Sequence, residues 1–297
     1  MFQRILIPLD GSSMAECALP VAAAFAERCG ASLVLFHVVE KGASASVHGE
    51  RHLQTQDEAQ AYLDELSKQY SQRGLAIDNH VHEETEIDVP DNIIQHAVEL
   101  EIDLVVMSAH GRSGLRDRFI GSIAQQVIQR GMIPVLFVRP EMDFTQVKFP
   151  PERILVPLDG EGQHEQSLPA AQTLAESCGA VISLATVVPT PGTLSSERAG
   201  TGMLLPISTA AVLDLAERGA VDYLRDVVKK LIKQGIKANG QVLRGDTATM
   251  VLEVAEKADL IIMATHGRTN WDAFWEESVT PKVMARTKIP ILLVRAP

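Results

Sequence analysis

Short, unbroken apolar runs recur along this chain, and stretches of mixed apolar and polar residues fill the gaps between them. In the first half the runs fall near 4–9, 32–38, 76–82, 103–107 and 134–138, with little alternation between apolar and polar positions. Such runs predict strands covered on both faces. The intervening periodicity predicts helices over Ser13–Cys29, roughly Gln54–Arg73, Pro90–Glu99 and Ser122–Arg130. Strand and helix in strict alternation imply a parallel sheet with right-handed crossovers and helices on both faces. Ligands of such sheets bind beyond the carboxyl ends of the strands, where the strand order reverses.

The pattern is written twice. RILIPLDGS (Arg4 to Ser12) matches RILVPLDGE (Arg153 to Glu161), and Ala24 to Val39 matches Thr173 to Val188 at the same offset. Further on, Tyr62 lies against Tyr223, DLVVMSAHGR (Asp103 to Arg112) against DLIIMATHGR (Asp259 to Arg268), and IPVLFVRP against IPILLVRAP. A period this long marks a duplicated domain and not a solenoid. The proline-rich stretch Pro140 to Glu152 reads as the join, giving domains over 1–140 and 152–297. The final strands would be open apolar edges, so the sequence predicts that they pair and pack the two domains as an intramolecular pseudo-dimer.

The 297 residues and 46% hydrophobic content suit two globular domains. No apolar run approaches the ~20 residues that cross a bilayer, and the first residues read as a strand and turn, so no membrane insertion and a cytoplasmic location are expected. Cys17, Cys29 and Cys178 lack metal or disulfide spacing and are read as free thiols. A formal charge of −11 argues against nucleic acid as a partner. Any anion must therefore be held locally.

The candidate place is SAHGRSGLRDRFIGS, Ser108 to Ser122, which follows the fourth strand and enters a helix. Gly111 and Gly121 leave room for a ligand against the backbone, and the free amides and dipole of a helix start attract a phosphate. Arg112, Arg116 and Arg118 add positive charge in an acidic chain. Ser122 can cap the helix or turn its hydroxyl to a phosphate. By themselves these residues fit two readings equally, an anion site or a plain helix cap beside solvated arginines. Pro8, Leu9, Asp10 and Gly11 after the first strand, and Val38 and Val39 after the second, would converge on the loop if strands one and four are neighbours.

Together these residues resemble the universal stress protein family, whose nucleotide-binding members carry Gly-x2-Gly-x9-Gly-Ser/Thr after the fourth strand. Here the positions read Ser108-x2-Gly111-x9-Gly121-Ser122, with Asp10 at the end of the first strand and His37-Val38 at the end of the second. The resemblance runs once through each half, so the chain is similar to a tandem member. It implies two doubly wound, five-stranded parallel sheets, flavodoxin-like or adenine nucleotide alpha hydrolase-like. It implies also that Asp10 and the Val38 backbone hold adenine, that Pro8 and Leu9 border it, and that Met107 and Ser108 lie along the ribose. Gly111, Arg112, Gly121, Ser122 and Ile123 would surround the phosphates of ATP, or of AMP or ADP, with magnesium only alongside the nucleotide. Ser108 replaces the motif's first glycine, at a cost of about 1–2 kcal/mol if that position is left-handed.

The second copy departs further. Ala264 replaces the first glycine, Gly267 is kept, Glu277 stands before Ser278 where the last glycine belongs, and Trp271 and Trp275 add bulk. A carboxylate about 4 Å from a phosphate costs on the order of 4 kcal/mol at an effective dielectric near 20, enough to turn micromolar binding into millimolar. The expectation is one nucleotide, in the first domain.

Other features have plainer readings. Asp159 is expected to be a turn residue. His80 and His82 share a strand face, but with no third ligand evident a packed or solvated face is expected and not a metal site. His110 and His266 are expected to pack against the strand ends, and Cys29 and Cys178 to be small packed residues. Pro189 to Thr209, rich in Gly, Pro, Ser and Thr, reads as a loop. For function, a regulatory nucleotide-binding stress protein read by an unknown protein partner comes first. A slow ATP hydrolase is the alternative, against which the loop offers only the lone Asp117 as a carboxylate. A nucleotide-free interaction module is the third, and a homodimer is compatible with any of them.

Overall fold

A computed structural model of the protein describes residues 2–40, 42, 46–47, 49–83, 88–109, 121–140, 142, 149–160, 162–194, 204–266 and 279–296. These fall into two compact units, one drawn from the chain up to Pro150 together with Pro290–Arg295, the other from Pro151–Thr265 and 279–289.

The first unit opens with β1 (Arg4–Pro8), α1 (Ser13–Glu16), α2 (Leu19–Cys29) and β2 (Ser32–Val39). The single helix expected over Ser13–Cys29 is two, because Pro20 has no amide to carry the hydrogen-bond ladder back through Cys17 and Ala18 and instead sits in the first turn of α2. A small hairpin, β3 (Ser46–Val47) and β4 (Glu50–Arg51), leads to α3 (Gln56–Ser71), β5 (Ile77–Glu83), α4 (Val89–Glu99), β6 (Leu104–Ser108), α5 (Ser122–Arg130) and β7 (Val135–Val138). The strands run in the order β5–β2–β1–β6–β7, all parallel, with Ile5 beside both Leu33 and Leu104 and with Val106 beside Leu136. Ile5, Leu6, Ile7, Leu33, Leu35, Val106 and Leu136 are fully buried. This is why the strands read as continuous apolar runs: a parallel sheet roofed by helices has no wet face on which to alternate.

The second unit repeats the plan with β8 (Arg153–Pro157), α6 (Ser167–Cys178), β9 (Val181–Val188), α7 (Pro206–Lys233), β10 (Ala238–Arg244), α8 (Thr247–Ala255), β11 (Leu260–His266) and α9 (Val279–Met284), in the order β10–β9–β8–β11. The last strand, β12 (Ile291–Ala296), belongs to the first unit through Arg295 and pairs antiparallel with β7, placing Leu292 beside Leu136. The expected pairing of the two final strands is therefore present. Arg295 anchors it, its Nη1 donating to the carbonyls of Gln129 at 2.9 Å and Gly131 at 2.8 Å.

Two repeated residues show why the copies match where they do. Asp103 accepts the amides of Gln3 at 2.7 Å and Arg4 at 3.2 Å, and Asp259 accepts those of Glu152 at 2.9 Å and Arg153 at 2.8 Å. One carboxylate thus sets the entry of each first strand. Gly30 and Gly179 end the equivalent helices in the left-handed conformation, φ 68° and 71°, which a side chain would disfavour. One expectation fails in the second unit. The stretch expected as a loop up to Thr209 is helical from Pro206, since proline is well placed at a first helical position and Thr209 bonds back to the Leu205 carbonyl through both its amide and its hydroxyl.

Candidate functional site

The strand order of the first unit reverses between β1 and β6, which are parallel neighbours. Their carboxyl ends therefore open on one edge. The crossover from β6 through α5 to the parallel strand β7 brings the amino end of α5 to that edge as well. Topology alone thus gathers the ends of β1 and β6 and the start of α5, and α1 packs beside β6.

Asp10 leaves β1 in a tight turn. Its Oδ1 accepts the amide of Ser12 at 3.0 Å and the Ser12 hydroxyl at 2.6 Å, while the Ser12 oxygen accepts the amide of Ala15 at 3.2 Å and caps α1. Gly11 between them has φ 84°, as Gly160 has φ 89° in the second unit, so both turns need a residue without a side chain. The carboxylate is held by its own turn and aimed along the edge. Leu9 is tied twice to β2: its amide donates to the Phe36 carbonyl at 2.8 Å, and its carbonyl accepts Nδ1–H of His37 at 2.7 Å. His37 is 1% exposed and its Nε2 has no partner. Burial pushes its pKa below the ordinary value, so the ring is neutral, with the proton fixed on Nδ1 by Leu9.

Pro8 ends β1, and Leu9, Val38 and Met107 are buried. Val38 and Val39 lie within β2 and not after it, because the β2–β5 pairing continues to Glu83. Ser108 ends β6 in the extended strand conformation, so the left-handed strain foreseen for a serine there does not arise. Its Oγ is buried and has no hydrogen-bond partner among the described residues. Gly121 is the N-cap of α5 with φ −56° and ψ 146°, a conformation open to any residue, and among the described residues no side chain caps the helix. Backbone freedom therefore does not require the glycine. Ser122 is the first helical residue, so its hydroxyl is not the cap; it and Ile123 are exposed. Gly111, Arg112, Arg116, Arg118, Asp117 and His110 lie outside the described residues, as do Gly267, Trp271, Trp275, Glu277 and Ser278.

Two parts of the edge were not foreseen. The hairpin segment folds onto the β1 turn: Glu50 accepts the amide and hydroxyl of Ser13, and Leu53 comes within 3.1 Å of where a Cβ of Gly11 would be. It has no counterpart among the described residues of the second copy, so the repeat gave no signal for it. Tyr62 donates to Glu16 at 3.0 Å, and the repeat-equivalent Tyr223 donates to Glu165 at 3.0 Å. Burial, then the neighbouring carboxylate, raises both phenols well above their ordinary pKa. The matched tyrosines were legible and their carboxylate partners were not.

On the opposite face of the sheet His80 and His82 pack against a third ring, His96 of α4, at 4.8 and 4.5 Å between centroids, with Phe36 stacked 5.7 Å from His80. The expected packed face is present, and among the described residues no group of three potential ligands could hold a metal ion. Cys17, Cys29 and Cys178 form no disulfide among the described residues and have intermediate exposure. No helix among the described residues is long and apolar enough to cross a membrane.

The second unit carries the same strand end with different contents. Asp159 pairs with His164, Thr186 stands in the place of His37 with its buried hydroxyl also unpartnered, and Ala264 brings no hydroxyl where Ser108 has one. The counterpart of α5 is α9, described from Val279 onward, in which Pro281 offers no amide.

A parallel α/β sheet whose strand order reverses between β1 and β6, and again between β8 and β11, defines the class. The family model for the universal stress protein family matches residues 1–139 and again 151–295, and the chain belongs to that family. Universal stress protein YxiE of Bacillus subtilis is 30% identical over 153 residues, covering 47% of this chain and 100% of its own. Universal stress protein MJ0577 of Methanocaldococcus jannaschii is 25% identical over 159 residues, covering 47% of this chain and 96% of its own. Each thus corresponds to one half. A universal stress protein structure from Archaeoglobus fulgidus matches 99% of this chain and 96% of its own at 14% identity with a TM-score of 0.69, and one from Pseudomonas aeruginosa matches 99% and 93% at 15% with a TM-score of 0.66. The tandem fold is shared across the whole length.

Proposed function

We propose that this universal stress protein binds one adenine nucleotide, ATP, in its N-terminal unit, and acts in the stress response as a nucleotide-dependent regulator read by a protein partner. The observation that carries the reading is the pair of unsatisfied features meeting at one edge: the partnerless buried Oγ of Ser108 and the uncapped amino end of α5. A buried hydroxyl without a partner costs stability unless something occupies the space beside it. A helix start without a side-chain cap is the ordinary complement of a phosphate.

In this reading Asp10, fixed by Ser12, and the Val38 backbone hold the base, bordered by Pro8 and Leu9. Met107 and Ser108 line the sugar, and Gly121, Ser122 and Ile123 present amides to the phosphates with Gly111 and Arg112. The nucleotide supplies charge and shape, and no residue of the chain is assigned a bond-breaking role. The second unit lacks the Ser108 hydroxyl, replaces the glycine before the helix with Glu277, and puts a proline in the helix start, so it takes no nucleotide.

The test is to denature freshly purified chain, chromatograph what is released, and titrate the stripped protein with ATP by calorimetry. One site per chain, with co-purified adenine nucleotide, is expected. Two equal sites would overturn the asymmetry. Failure to bind added ATP would leave the interaction module, and turnover with magnesium would make the protein an enzyme.

A further inference from the structure

The helix between the second and third long strands differs between the two units. In the first it is α3, with 16 residues; in the second it is α7, with 28. Tyr62 and Tyr223 seat the two helices alike on their units, so the additional turns lie ahead of Tyr223. Along that extension only Leu213 is buried before Leu224. The far side is apolar and bare: Ile207 is 86% exposed and Leu215 70%, with Leu204, 82% exposed, just ahead of the helix. Ile207, Ala211 and Leu215 form one ridge at i, i+4 and i+8, and Leu213 lies about 200° round the helix from Ala211. The ridge thus points away from the unit. With its flanking leucines it exposes an area on the order of the ~600 Å² above which an apolar patch on a monomer calls for an explanation.

We infer that this ridge joins two copies of the chain, with α7 crossing α7 about a two-fold axis at Ala211. An i±4 ridge packs into the groove beside an identical ridge at about −50°, the commonest helix crossing. The small side chain of Ala211 falls where the axes approach most closely, and Ile207 of each copy meets Leu215 of the other. A two-fold contact must be self-complementary, and close to the crossing the charges comply: in antiparallel alignment about Ala211, Asp214 falls on the side of Ser208 of the other copy, so no like charges face each other there. A lipid surface is the poorer occupant. A helix lying on a membrane flanks its apolar face with Lys and Arg, whereas Arg218 stands among Asp214, Glu217 and Asp222 on a chain of charge −11. The patch is smaller than the ~800 Å² per partner of a standard interface, which sets the expected dissociation constant at roughly 10–100 μM.

Sedimentation equilibrium of the full chain, from about 1 to about 300 μM, tests this across the expected range. Wild type is expected to pass from monomer to dimer. Ile207→Glu and Leu215→Glu, both at exposed positions, are expected to stay monomeric with unchanged circular dichroism. Ala211→Leu adds apolar surface but blocks the close crossing, and is expected to weaken association about tenfold or more. Wild type that stays monomeric throughout overturns the inference, as does undiminished dimerisation of the glutamate variants. Association unchanged or tightened in Ala211→Leu would show unspecific apolar contact and overturn the crossing. Monomeric wild type that floats with neutral phosphatidylcholine vesicles would assign the face to lipid instead.

Discussion

The two units share the entry to their strand ends and diverge at the exit. In both, an aspartate leaves the first strand through a glycine at positive φ, and a tyrosine from the long helix bonds a glutamate below it. Past the fourth long strand the first unit has a buried hydroxyl with no partner among the described residues and a helix that starts behind glycine, while the second has an alanine and a helix, described from Val279, that contains Pro281. The shared parts close the fold, because each satisfies a backbone turn or a buried polar group that any sheet of this kind exposes. The divergent parts have no such duty in the second unit. The scaffold and the proposed binding surface are therefore separable, and one copy can lose the second while keeping the first.

That contrast is open to direct attack. The largest effect is expected from Gly121→Glu, which copies the second unit's residue into the first: a carboxylate beside the phosphates costs about 4 kcal/mol, close to a thousandfold in ATP affinity by calorimetry. Gly121 has an ordinary φ, so the fold should tolerate the change, and retention of wild-type affinity would dissociate the helix start from binding. Next in size, Asp10→Ala should weaken ATP binding by about tenfold to a hundredfold, the range of a hydrogen bond to a charged group, while Asp159→Ala leaves it unchanged. Equal losses from both would place nucleotide in both units.

Smaller effects probe what the units share. Tyr62→Phe and Tyr223→Phe should each cost about 1–2 kcal/mol in urea denaturation, since each leaves a part-buried carboxylate short of one bond. Values differing by more than ~1 kcal/mol would show that the two joints are not equivalent. The smallest effect concerns pH. Burial lowers the pKa of His80 and His82 below 6.5, neighbouring imidazoles push the same way, and Glu99 opposes them, as Glu83 does at His82. The unfolded chain therefore binds protons first as pH falls, so the stabilisation is present above pH 6.5 and is lost on acidification below it. Amide protection in β5 and α4, taken relative to the intrinsic exchange rate at each pH, should fall below pH 6.5, while that of β10 and α8, which carry no histidine, does not change. His82→Leu should flatten the response, and an identical response in both units would refute the cause.

The sequence on its own determined the duplication, the order of strands and helices, and the type of residue at each strand end. These are local matters: a strand buried on both faces must be apolar, a turn at positive φ favours glycine, and a helix start must expose amides. Proline also placed the break before α2, had it been weighed against the apolar period. Tertiary structure alone decided that Ser108 holds a buried, partnerless hydroxyl, that His96 completes the ring cluster on β5, that Glu16 meets Tyr62, and that the start of α7 carries a bare apolar ridge. Each depends on which distant segment fills the space beside a residue. Periodicity along a chain records how a side chain is turned, and only the packed sheet and helices fix what it meets there.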